Sequence, residues 1–196
     1  MKRTVDICIS LLILALFLPF GLVLMVFISL ESAGGVFYLQ ERVGQNGQLF
    51  KLIKFRSMRP NADNGSQITI GNRDPRITRI GYFIRRFKID EFPQFINVIK
   101  GDMSIVGPRP EVPFYVEKYT ETQRQILVVK PGITDYASLA YFNENEILAK
   151  AADPQKAYLE QIMPAKIELN QRYLSDASLF KDFKIIWLTA LKIVGF

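Results

Sequence analysis

The sequence predicts a mixed α+β fold, mainly helical, and three observations carry that prediction. Residues 7–30 are 24 uncharged and largely apolar positions in a row. Two stretches rich in strand formers flank Gln45-Asn46-Gly47. Much of the remaining chain places apolar residues at helical spacing, interleaved with Arg and Lys. At 196 residues the chain is long enough for one sizeable core with attachments.

As one straight helix, residues 7–30 would be about 36 Å long, enough to cross a hydrocarbon core of roughly 30 Å. No small-residue cleavage pattern follows, which argues against a removed signal peptide. Two features favour instead a re-entrant hairpin that dips into one leaflet and returns. Lys2 and Arg3 precede the segment and Arg42, Lys51, Lys54, Arg56 and Arg59 follow it, so charge gives no direction of crossing. Pro19 lies near the middle, where it removes a helical hydrogen bond at a cost of about 3 kcal/mol and bends the axis. The residues alone leave both topologies open.

Residues 36–58 form a predicted β-hairpin, with Asn46-Gly47 as the turn signal and Lys54 and Arg56 on one face of the second strand. Residues 61–73 are a polar, Gly-containing loop. Next, Ile77, Ile80, Phe83, Ile84 and Phe87 make an apolar stripe among Arg76, Arg79, Arg85 and Arg86. That pattern suits a helix lying in a membrane interface, and equally a surface helix docked on a core.

The segment from Arg85 to Asp102 follows. Phe92, Phe95, Ile96 and Ile99 are spaced for a short amphipathic helix, with Asp90 as its N-cap, Pro93 in the first turn and Gly101 as the stop. This would set Asp90 and Glu91 at the positive end of a helix, just after Arg85, Arg86 and Lys88, a place that attracts anions. Pro108 and Pro110 then stiffen a turn that presents Arg109. Another turn occupies 130–136, and 141–146 opens a polar loop. Residues 154–174 are predicted helical with a break near Pro164. At the C-terminus, Leu179, Phe183, Ile186, Trp187, Ala190, Leu191 and Val194 repeat the basic-edged apolar theme with Lys181, Lys184 and Lys192.

Composition narrows the chemistry. Hydrophobic residues are 49% of the chain, the mean hydropathy is +0.12, and the net charge is +6. Residues 1–110 hold 15 Lys and Arg against 8 Asp and Glu, which suits phosphate, nucleic acid or an anionic membrane as partner. Apolar helices with basic edges decide for the membrane, since a nucleic-acid binder needs none of them. There is no histidine, which excludes Ser-His-Asp triads and histidine general bases. Cys8 is the single cysteine, so no disulfide framework or thiolate metal site exists. No Gly-Lys-Ser/Thr phosphate loop or GxGxxG occurs. Carboxylates, Arg, Lys, hydroxyls and a hard metal ion remain.

Several motifs, in order, resemble one family, the bacterial sugar transferases or monotopic phosphoglycosyl transferases. They are the Pro-containing apolar segment, residues 50–58 (Phe-Lys-Leu-Ile-Lys-Phe-Arg-Ser-Met), Asp90-Glu91 with 92–98 (Phe-Pro-Gln-Phe-Ile-Asn-Val), residues 101–110 (Gly-Asp-Met-Ser-Ile-Val-Gly-Pro-Arg-Pro), and residues 130–134 (Lys-Pro-Gly-Ile-Thr). The resemblance implies a re-entrant membrane helix over 1–32. Over 33–196 it implies a small cytoplasmic catalytic domain with interfacial helices, placed on the cytoplasmic face of a bacterial inner membrane. It implies transfer of a phospho-sugar from a UDP-sugar to polyprenyl phosphate, with release of UMP. Asp90 would be the nucleophile and a ligand of Mg2+, Glu91 its partner, and Arg85 and Arg109 phosphate contacts, with Lys54, Arg56, Pro108 and Pro110 beside the nucleotide sugar. Two departures stand out. The family's Ser-Pro break is Leu18-Pro19 here, and its Gly-Trp after Pro-Gly-Ile-Thr is Asp135-Tyr136, which points to a different sugar.

The chemistry agrees. A carboxylate with an ordinary pKa near 3.9 is ionised at neutral pH and needs no base. Its obstacle is the anionic diphosphate: one like-charge pair at roughly 4 Å and an effective dielectric near 20 costs on the order of 4 kcal/mol, about a thousandfold in rate. Arginines and a divalent cation offset such repulsion. A non-enzymatic basic scaffold on a membrane surface is the alternative. The sugar, the downstream glycan and any pairing with a second copy of the chain are not fixed by these residues.

Overall fold

The computed structural model describes residues 1–60, 62 and 74–195, so the predicted loop at 61–73 lies outside the described residues except for Ala62. The mixed, mainly helical architecture is as expected. The first element is helix α1, Lys2–Glu31, one continuous α-helix that contains Pro19. Pro19 has no N–H for the Ala15 carbonyl, and the helix runs on through it. A single missing hydrogen bond in 30 residues is tolerated because the rest of the ladder holds.

One side of α1 lies along the body of the protein. Near its start, Lys2 pairs with Asp182 at 2.6 Å, and Arg3 donates to the Ile99 carbonyl at 3.0 Å. At mid-length Phe17 stacks on Phe92, with ring centroids 4.3 Å apart. Towards its end Leu24 and Ile28 join Phe55 and Ile84 in a buried cluster. The other side, including Leu12, Leu16, Leu22, Val26 and Phe27, is exposed.

The predicted hairpin is present. Strands β1 (Phe37–Val43) and β2 (Leu49–Phe55) pair antiparallel from Phe37↔Phe55 to Val43↔Leu49. Asn46 and Gly47 take the left-handed φ values of 54° and 79° that the tight connection needs. Helix α2, Arg79–Arg86, is capped by the Thr78 hydroxyl, which accepts from the Gly81 N–H at 2.9 Å. Its predicted stripe divides: Ile84 is wholly buried, whereas Phe83 and Phe87 face outward.

Helix α3 covers Gln94–Lys100 and stops at Gly101, whose φ of 101° is the expected left-handed stop. Asp90 is not its N-cap. Lys88, at φ 55°, turns the chain, Ile89–Glu91 form a 3-10 turn, and Pro93 occupies the cap position. The buried face of α3 is also more polar than its apolar spacing suggested: Gln94, Asn97 and Val98 are inside, and Ile96 is exposed. Asn97 explains this. Its amide accepts from the Ile53 N–H at 3.0 Å and donates to the Lys51 carbonyl at 2.8 Å, pairing with β2 as a strand would.

A pair of very short strands was not foreseen: β3 (Ser104–Val106) and β4 (Gly132–Thr134) run parallel. Two glycines let them meet, since a Cβ on Gly132 would lie 2.2 Å from the Gly107 nitrogen. Short helices α4 (Pro113–Val116), α5 (Glu121–Arg124), α6 (Tyr136–Ala140) and α7 (Glu144–Ala149) follow the chain around a second core of Tyr115, Leu148, Tyr158 and Ile162. Helices α8 (Pro154–Ala157) and α9 (Met163–Ser175) form the predicted 154–174 helix, interrupted by a π-turn at Tyr158–Ile162 just before Pro164. Helix α10, Leu179–Val194, buries Ile185 and exposes Phe180, Phe183, Trp187 and Val194.

Candidate active site

Three neighbouring elements deliver the charged groups. The 3-10 turn after α2 carries Asp90 and Glu91, strand β2 carries Lys54, and the turn after β3 carries Arg109. They face one cleft of about 1240 Å3, also lined by Arg85 and Lys88. Arg109 grips Glu91 with both ends of its guanidinium, one N–H donating to Oε2 at 3.0 Å and the other to Oε1. Such a two-point grip fixes position as well as charge. Lys54 Nζ stands 4.0 Å from Glu91 Oε1.

Asp90 differs sharply from its neighbour. It is 6% exposed, and among the described residues no donor bonds its carboxylate. Burial pushes its carboxyl pKa up and the charge of Glu91 adds to this, while Lys54, Arg85 and Lys88 pull it back. The reactivity expected from an ordinary aspartate pKa therefore needs correction: the ionised form depends on those three cations. For Glu91, burial acts upward too, but Arg109 and Lys54 outweigh it and hold the group well below the carboxylate range. The Arg109 pKa is raised in turn, chiefly by Glu91. Burial lowers the Lys54 ammonium to about 8, against the opposing pull of Glu91. Among the described residues, the site thus holds one fixed ion pair and one unbonded carboxylate with three cations around it.

The remaining predicted residues divide. Arg85 lines the cleft and acts on Asp90 through charge. Pro108 and Pro110 stand behind Arg109 and shape its turn, the Pro108 carbonyl accepting from Gly132 N–H at 2.9 Å and that of Pro110 from Arg42 at 3.0 Å. Arg56 borders the cleft, but its guanidinium donates to the carbonyls of Ser32 at 2.7 Å, Ala33 at 3.1 Å and Ile28 at 3.4 Å. It closes the end of α1 and has little left for a phosphate. Pro19 lies within α1 and is not among the residues that line the cleft.

The roles of Asp135 and Arg42 escape the sequence, whereas Lys88 is already one of the three cations that precede the acidic pair. Lys88 faces Asp90 from a left-handed backbone that no pattern announces. Asp135 is wholly buried; one oxygen caps α6 through the Ser138 N–H at 2.6 Å, and the other accepts from the Arg109 N–H at 3.2 Å. The unusual Asp-Tyr pair thus begins with a brace under Arg109. Arg42 links Pro110 to Glu111 at 3.2 Å, and Tyr158 hydroxyl donates to that same carboxylate.

A mainly helical α+β body, a cation-ringed carboxylate in a deep cleft and a long apolar helix alongside define a membrane-associated protein built to handle anionic groups. The family model described as bacterial sugar transferase matches residues 1–195, and the chain belongs to that family. It is 50% identical over 133 residues to a putative undecaprenyl-phosphate N-acetylgalactosaminyl 1-phosphate transferase of Bacillus subtilis (strain 168), covering 68% of this chain and 70% of that one. It is 36% identical to a UDP-N-acetylgalactosamine-undecaprenyl-phosphate N-acetylgalactosaminephosphotransferase of Aeromonas hydrophila, over 96% of this chain and 42% of that one. A UDP-glucose:undecaprenyl-phosphate glucose-1-phosphate transferase of Escherichia coli (strain K12) is also 36% identical, over 98% and 40%. The chain thus spans about two fifths of the length of the last two relatives.

Proposed function

We propose that this protein transfers a sugar phosphate from a UDP-sugar to undecaprenyl phosphate, the reaction in the names of its relatives, with Asp90 as nucleophile. The observation that carries the assignment is the contrast within the acidic pair. Glu91 is committed to Arg109, while Asp90 has no donor among the described residues and shares its cleft with Lys54, Arg85 and Lys88. In the first step an Asp90 oxygen attacks the β-phosphorus of the donor. The bond from that phosphorus to the bridging oxygen breaks, and UMP leaves with the electron pair. In the second, an oxygen of the lipid phosphate attacks the same phosphorus, the acyl–phosphate bond breaks, and the Asp90 carboxylate returns. Lys54 and Arg85 offset the repulsion between a carboxylate and the diphosphate. Glu91 keeps Arg109 aimed into the cleft.

Asp90 is also the residue we assign to hold Mg2+. Among the described residues no three acidic, Cys or His side chains cluster as a metal cage. That suits an ion which usually takes one or two carboxylates and completes its shell with substrate phosphates and water. When bound, the ion supplies neutralising charge to the diphosphate.

Helix α1 is long and apolar enough to cross a membrane, and 17% of its most apolar window is buried in the protein. We propose that it enters and leaves one face of a bacterial inner membrane, with the rest of the chain on the cytoplasmic side. Support comes from its anchors: Lys2 at one end bonds Asp182, Glu31 at the other accepts from the Arg79 N–H at 2.7 Å, and Phe17 between them stacks on Phe92. A helix held to one body at both ends and in the middle has little freedom to leave it for the far side of a bilayer. The experiment for the reaction is incubation with radiolabelled UDP-sugars and undecaprenyl phosphate. UMP together with a labelled lipid diphosphate is expected; no UMP with any UDP-sugar would overturn the proposal.

A further inference from the structure

The cleft that holds Asp90 has a second wall without charge. Ile9 and Ile13 of α1, Phe95 of α3, and Ile186, Ala190 and Ile193 of α10 line the same space as Asp90, Lys54 and Arg85. Helices α1 and α10 are tied near their starts by the Lys2–Asp182 pair, and Ile9 and Ile186 pack on one core cluster around Ile185. Farther along, Ile13, Ala190 and Ile193 face the cleft, while Leu12, Leu16 and Trp187 are exposed on other sides of the same helices. One continuous space therefore joins a cation-flanked carboxylate to an aliphatic wall borne by the two most apolar helices.

We propose that the groove between α1 and α10 holds the first isoprene units of the polyprenyl phosphate, its phosphate towards Lys54 and Arg85 and its tail leaving between the helices. This rests on the transfer reaction proposed above. A sugar nucleotide offers hydroxyls, amides and phosphates, and has no hydrocarbon to match four isoleucines and a phenylalanine. A polyprenyl phosphate has one anionic end and a branched aliphatic chain, so it fits both walls at once. The space is also continuous with the groups that the acceptor phosphate must reach.

The full chain, reconstituted in phospholipid vesicles, tests this through Ala190→Trp, with Ala190→Leu as a smaller step. KM for undecaprenyl phosphate should rise about tenfold or more with Trp, and less with Leu, since small changes in an apolar pocket alter binding on that scale. KM for the UDP-sugar should stay at its wild-type value. Should Ala190→Trp fail to fold, Ile193→Ala removes contacts from the same wall and should also raise the acceptor KM. An unchanged acceptor KM in these folded variants would overturn the groove. So would a raised donor KM with acceptor KM unmoved, which would give the wall to the donor. If the wild-type chain released no UMP with both substrates present, the transfer reaction itself would fail, and the groove with it.

Discussion

Two buried clusters of acids serve this protein in opposite ways. Where α1 meets α10, Asp182 accepts from the Tyr173 hydroxyl and pairs with Lys2 at 2.6 Å. Asp6 beside it accepts from Ser104 at 2.8 Å and lies 3.8 Å from Lys2. Every carboxylate oxygen there has a partner. In the cleft, Glu91 is equally well met by Arg109 and Lys54, but Asp90 has no donor among the described residues. A satisfied buried acid holds structure together. A buried acid left bare costs stability, and such groups mark places where chemistry is done.

The comparison breaks most readily at Asp90. Asp90→Asn should cut turnover by about 10^4-fold or more, the scale of losing a nucleophile. Its melting temperature should equal or exceed that of wild type, because an unpaired buried charge is removed. A lower Tm by calorimetry would mean that Asp90 has a structural partner. Arg109→Ala comes next. It strands Glu91 and should destabilise the fold by about 3 kcal/mol in urea titration, with turnover lost as well. Arg109→Lys should recover only part, since an ammonium cannot grip both oxygens.

On the structural side, Asp182→Ala should cost about 2 kcal/mol, leaving Lys2 and Tyr173 without their acceptor. Turnover per folded molecule should remain within about twofold, a change under 0.5 kcal/mol in the barrier. The smallest effect is on pH dependence. Activity should rise as Asp90 ionises, with the acid limb of kcat/KM above the ordinary aspartate range because burial raises that group. It should fall as Lys54 loses its proton near pH 8. Lys54→Arg should remove that alkaline limb, because a guanidinium stays charged.

The sequence made one part of this architecture legible and hid another. Apolar spacing and Asn-Gly found α1, the hairpin and α10, since their patterns run over many residues. The ordered motifs pointed to Asp90, Glu91, Arg85, Lys54 and Arg109, which the fold brings to one cleft. Strands β3 and β4, three residues each, carry no period to detect. Asp135 acts through a buried cap that only the fold brings under Arg109, and the left-handed turn at Lys88 leaves no mark in the sequence. Arg56 shows the converse: strand parity set it beside Lys54, but the end of α1 claims its guanidinium. Parity predicts a face, and the nearest unsatisfied carbonyls decide what a cation does there.

The most direct measurement is mass spectrometry of the Asp90 peptide after brief exposure to a UDP-sugar alone. Attack by that side chain adds one sugar phosphate to the peptide, and Asp90→Asn abolishes the adduct. An unmodified peptide in wild-type protein that still converts undecaprenyl phosphate to product would contradict a covalent role for Asp90.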